Sequence, residues 1–109
     1  MRRGDIWLVA YDDPAAAGEP ATVRPAVIVS SDRFNEARAW TILAVPLTTT
    51  DRGNPLHVVV DSPDLEEVRH AQVELVGAVS RRRLLRRIGR VDPVASSVID
   101  ERIRMVMEL

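Results

Sequence analysis

A chain of 109 residues with formal net charge −1 and no cysteine has room for one domain with a modest core, expected to span 1–109. Its charge gives no bulk attraction to a polyanion, and the missing cysteines exclude disulfides and thiolate metal sites. No apolar run approaches the ~20 residues of a membrane-spanning helix, and no long apolar run follows the basic start Met1-Arg2-Arg3, so a soluble, cytoplasmic protein is the expectation.

Taken in order, residues 5–11 predict a first strand, in which Ile6, Leu8 and Ala10 alternate with Trp7, Val9 and Tyr11. A loop of roughly a dozen residues follows, punctuated by Pro14, Gly18 and Pro20; loops of that length in a small domain are often functional. Residues 24–31 predict a second strand. Val27, Ile28 and Val29 are β-branched and suit a packed, pleated surface, and Pro25 marks a strand start or an edge. Ser31 or Asp32 can cap a short helical turn through Phe34 and Asn35. Residues 40–47 predict the next long strand, with Pro46 placing it at an edge or leaving the sheet. Thr48, Thr49 and Thr50 make a hydroxyl cluster, and 51–55 is a turn by composition. Residues 56–60 predict a short strand, 68–76 a strand with one polar face, and 88–91 a last short strand. Ser80 can cap a helical turn between the last two. Asp92 followed by Pro93 is a helix start. From there Val94, Val98, Ile99, Ile103, Val106 and Met107 keep helical spacing to about Glu108. Five to seven short strands with one terminal helix predict a small curled sheet or barrel, mainly β with helices.

Positive charge is concentrated in one place. Residues 69–90 carry seven arginines against Glu74 alone, whereas 1–68 are net acidic. A run such as 81–90 is usually a solvated face, and otherwise a footprint for an anionic polymer. Two histidines, His57 and His70, stand at no metal-ligand spacing. No phosphate-cradling glycine loop with lysine follows a strand, and no nucleophile elbow occurs. Chemistry that needs neither metal nor nucleophile from the protein remains open. RNA supplies its own 2′-hydroxyl, so a protein has only to hold the phosphate in line and stabilise charge on it. Arg24, a fork-shaped cation fixed before a proline at the mouth of a stiff strand, suits that task. Thr48 and His70 are candidate companions. Each also has a plainer reading: a surface arginine, a threonine satisfying strand-end backbone, a surface histidine. His57, just after a turn, reads as structural.

Five pieces in this order resemble the MazF/PemK toxin family across nearly the whole chain. They are Arg3-Gly4-Asp5-Ile6-Trp7; Gly18-Glu19; Arg24-Pro25-Ala26-Val27-Ile28-Val29-Ser30; Val45-Pro46-Leu47-Thr48; and Arg83-Leu84 with Ile88-Gly89-Arg90-Val91. The resemblance implies a small SH3-like β-barrel of the CcdB/PemK type with a C-terminal helix, forming homodimers. It implies the toxin of a type II toxin–antitoxin module: a ribosome-independent endoribonuclease cutting single-stranded RNA at a short sequence, with no metal and no cofactor, to a 2′,3′-cyclic phosphate. It also implies a cognate antitoxin whose acidic tail fills the RNA groove. By the same resemblance Arg24 and Thr48 are catalytic and Glu19 supports the active-site loop. Arg69 matches a catalytic arginine of the Kid-like branch, whose acidic partner is here Ala71, and Gln72 matches a glutamine frequent in that strand. Arg69 and His70 would add phosphate contacts or acid–base help. Base recognition would come from loops 12–23 and 49–56. The rivals are a CcdB-like binding toxin, a plain RNA-binding barrel using 81–90, and a degenerate toxin that keeps only antitoxin binding.

Overall fold

The computed structural model describes residues 1–11, 22–37 and 40–109. Within them the alternating and β-branched runs become β1 (Asp5–Ala10), β2 (Val23–Ile28), β3 (Thr41–Thr48), β4 (His57–Val60), β5 (Arg69–Gln72), β6 (Gly77–Ser80) and β7 (Leu84–Arg90). Helix α1 covers Asp32–Glu36 and α2 covers Pro93–Met107, with 3-10 turns at Val73–Leu75 and Arg81–Arg83. All pairings are antiparallel, in the order β4-β5-β3-β2-β1-β7, with β6 also on β3. Among the described residues no helix is long and apolar enough to cross a membrane.

The caps follow local chemistry. The Ser31 hydroxyl accepts from the Phe34 amide and opens α1. Ser80 accepts from the Arg82 amide and opens the second 3-10 turn. The Asp92 carboxylate accepts from the Ala95 amide at 2.8 Å, with Pro93 at the first turn of α2. Each side chain satisfies one amide that a helix start leaves without a partner.

Two cores sit on the two faces of the sheet. On one, Ile6, Val27, Leu47, Val60 and Ala71 from five strands meet Ala95 and Ile99 of α2. On the other, Val9, Ala26, Ile28, Ile42 and Ala44 meet Val79 of β6. The expected barrel is an open one: β4 and β7 end the sheet and no ladder joins them. Segment 61–68 fills part of the gap. Leu65 packs on the first core, and Asp64 lies against β7 so closely that a Cβ on Gly89 would come within 2.4 Å of its side chain. Close approach of two chains is what requires glycine there.

Three elements differ from the sequence expectation. The strand expected over 68–76 is interrupted by the 3-10 turn Val73–Leu75, so β5 pairs with Leu47 and Thr48 while β6 pairs with residues 41–44 of the same β3 edge. Pro46, with no N–H to give, falls between those two ladders, which is how a central strand tolerates it. Strand β7 starts at Leu84, not Ile88. It draws the arginine run into the fold. Arg87 and Arg90 reach the Asp5 carboxylate at 3.2 and 3.0 Å, Arg83 donates to the Ala10 carbonyl, and Arg81 donates to that of Asn35. The run is thus largely internal stitching between β7, β1 and α1, neither a uniform solvated face nor a continuous polyanion footprint.

Candidate active site

Side chains alternate across a strand, so Arg24 shares the second-core face with Ala26 and Ile28. The β2–β3 register pairs Ala26 with Pro46; continued by two residues, it sets Arg24 opposite Thr48. Pro25 gives no N–H, and the ladder stops at Ala26, so the strand ends part while the side chains keep their face. On the other side of β3, Thr48 pairs with His70, and Gln72 follows His70 on the same face of β5. Three strands therefore set Arg24, Thr48, His70 and Gln72 on one face of the sheet, and Arg24 meets Gln72.

Arg24 is held from two directions. One terminal nitrogen, Nη1, donates to Gln72 Oε1 at 3.3 Å. The guanidinium carbon lies 5.4 Å from the centre of the Tyr11 ring, within range of a cation–π attraction. Its Nε is buried without a hydrogen-bond partner among the described residues. A cation so restrained is oriented before any ligand arrives, the condition under which charge stabilisation is most effective. Tyr11 titrates high, pushed up to about 12, because burial outweighs the opposing Arg24 cation. It is a neutral phenol near neutral pH and acts on Arg24 through its ring. Tyr11→Leu is expected to broaden or shift the Arg24 side-chain N–H signal in ¹H–¹⁵N spectra, whereas Tyr11→Phe keeps it. Equal effects from both would assign the restraint to the hydroxyl instead.

The Thr48 hydroxyl accepts from the Thr50 amide at 3.2 Å. That bond uses a lone pair and leaves the hydroxyl proton available to a ligand. Thr48 thus both satisfies backbone and can donate. Gln72 is buried, its amide oxygen occupied by Arg24. Opposite Gln72 stands His57, whose Nε2 lies 2.7 Å from Glu74 Oε1 while Nδ1 is buried without a partner. His57 is an internal tie between β4 and the 3-10 turn, in keeping with its structural reading.

Arg69 is not brought to this cluster. It alternates with His70, shares its face with Ala71, and places Nη1 3.5 Å from the Leu47 carbonyl. The expected Glu19 lies outside the described residues, as do most residues of loop 12–23. Tyr11 was missed by sequence reasoning. Its signal was the alternation that sets it on one face with Trp7 and Val9, which carries meaning only once β1 is known to pair with β2 beside Arg24. Among the described residues no three His, Asp or Glu side chains gather as a metal site would require.

Residues 2–107 match the family model of the PemK-like, MazF-like toxin of type II toxin–antitoxin systems. The endoribonuclease MazF9 of Mycobacterium tuberculosis is 35% identical over 116 residues, covering 100% of this chain and 98% of its own. A probable endoribonuclease MazF of Mycolicibacterium smegmatis is 36% identical over 95 residues, covering 84% of this chain and 82% of its own. The fold is also that of an endoribonuclease solved in complex with its cognate antitoxin from a mycobacterial species. There the TM-score is 0.81 at 22% identity, covering 100% of this chain and 96% of that one. The match along nearly all of its length, with full-length identity above 30%, places this chain in the PemK-like, MazF-like family of type II toxins.

Proposed function

We propose that the chain, acting as one toxin domain over 1–109, is an endoribonuclease that cuts single-stranded RNA at a short sequence, without the ribosome, a metal or a cofactor. The observation that carries this is the Arg24 guanidinium, restrained by Gln72 and the Tyr11 ring on the sheet face that Thr48 shares. The substrate 2′-oxygen attacks the adjacent phosphorus; the new 2′-O–P bond forms as the P–O5′ bond breaks. The products are a 2′,3′-cyclic phosphate and a 5′-hydroxyl. Arg24 stabilises the charge on the phosphorane oxygens. Thr48 donates to the phosphate and orients the 2′-hydroxyl. His70, opposite Thr48, moves the proton. Gln72 positions Arg24, and Glu19 supports the preceding loop.

Family membership and the antitoxin complex of a structural relative support a cognate antitoxin as partner, its acidic tail competing for the cationic site. A cytoplasmic homodimer is the expected working form. The internal contacts of Arg81, Arg83, Arg87 and Arg90 count against a plain RNA-binding barrel that uses 81–90. The test is incubation with a long defined RNA in excess EDTA. Discrete cuts ending in a 2′,3′-cyclic phosphate are expected, and Thr48→Val should slow them by roughly a hundredfold. Cleavage that vanishes in EDTA and returns with a divalent ion would overturn the metal-free mechanism.

A further inference from the structure

The unclosed sheet leaves a cavity of about 340 Å³ at its seam. Asp64, Glu66 and Arg69 line it together with Arg86 and Ile88 of β7 and Pro25 of β2. Its charges do not neutralise one another. Glu66 and Arg86 have no hydrogen bond or ion pair among the described residues. Among the described residues the Asp64 carboxylate accepts only from the neighbouring Ser62 hydroxyl, at 3.3 Å, and it packs against Gly89 of β7. Arg69 reaches the Leu47 carbonyl only at 3.5 Å. Acceptors and cations thus surround a partly apolar pocket and remain available to a ligand.

That chemistry fits a nucleotide. Ile88 and Pro25 offer apolar contact to a planar base, carboxylates accept from an exocyclic amino group, and arginines take the flanking phosphates. Strand β2 is a shared wall: Arg24 projects to one face, Pro25 to the other. We propose that the seam is a base-binding subsite for an RNA nucleotide flanking the scissile phosphate, selecting a base with an exocyclic amino group over uracil. This rests on the endoribonuclease reading and moves base selection from the expected loops 12–23 and 49–56 to segment 61–68.

Cleavage maps on long RNA, and kcat and KM on oligonucleotides, decide it. The wild type should prefer an amino-bearing base at one flanking position by roughly tenfold. Asp64→Asn with Glu66→Gln should erase that preference while leaving the others. Arg86→Ala should raise KM by about three- to tenfold and flatten the salt dependence, with the change in KM and not in kcat. All three side chains belong to exposed residues, and melting curves check that the variants fold. Unchanged maps and unchanged KM would overturn the subsite. Should the wild type cut no RNA, the endoribonuclease reading falls. Binding of cytidine- against uridine-containing oligonucleotides to Arg24→Ala protein, with and without the seam substitutions, then still decides the subsite. If Arg86→Ala leaves RNA binding intact but weakens an acidic peptide, the seam belongs to a protein partner and the proposal fails.

Discussion

Arg24→Ala is expected to lower kcat for RNA cleavage by about a hundred- to a thousandfold, the usual consequence of removing one preorganised charge stabiliser. The loss should fall mainly on kcat, because the guanidinium meets its largest charge when the phosphorane forms. Stability should change little. Arg24 lies near a strand end, makes one long hydrogen bond to Gln72 at 3.3 Å, and keeps a buried Nε with no partner among the described residues. A buried N–H without an acceptor is a cost that the substitution removes. Arg24→Lys keeps the charge but loses the planar fork, so it cannot hold Gln72 and a phosphate together, and should recover only part of the rate. Stopped-flow cleavage of a fluorescent oligonucleotide, paired with urea unfolding, reads both quantities. A variant that is inactive because it is unfolded would show in the second and would remove Arg24 from the catalytic assignment.

Asp5→Asn is expected to act in the opposite way, lowering stability by about 1–3 kcal/mol. The Asp5 side chain is buried and accepts from the Arg2 amide at 2.8 Å as well as from Arg87 and Arg90. Both arginines are about half exposed and recover water when the carboxylate is neutralised, which keeps the cost below that of a fully buried pair. Burial by itself would raise the Asp5 pKa. The Arg2 amide, then Arg87 and Arg90, outweigh it and hold the carboxyl below its ordinary 3.8. A depressed carboxyl contributes stability that is full above its unfolded pKa and is lost as pH falls through the folded one. The difference in urea midpoint between wild type and Asp5→Asn should therefore be constant at neutral pH and shrink below about pH 4. A difference that persists unchanged at pH 2 would assign the effect to packing.

The terminal helix was legible because its signals are local. Asp92, Pro93 and the spacing from Val94 to Met107 need nothing from the rest of the chain. Strand β2 was legible for the same reason. The split of β5 from β6 was not: residues 68–76 alternate acceptably, and what interrupts them is the geometry of a shared β3 edge. The arginines of 81–90 were misleading because one dimension cannot show that Arg87 and Arg90 converge on Asp5 from the far end of the chain. At the site, Arg24 and Thr48 could be named, but their facing arrangement depends on the antiparallel register of β2 on β3. Arg69 stands outside that cluster for a related reason. A motif match aligns positions along a strand, while alternation decides which side of the sheet each one serves.

The 3-10 turn at Val73–Leu75 has a dynamic consequence. It leaves the β4–β5 hairpin attached to β3 through two residue pairs, Leu47 with Ala71 and Thr48 with His70, whereas β6 holds its half of the same edge with four. The shorter seam is where amide protons should exchange first by local opening. The Arg24–Gln72 bond spans that seam. An RNA strand seated on Arg24, Thr48 and His70 would act as a staple across it, slowing exchange in β4 and β5 while leaving β6 as it was.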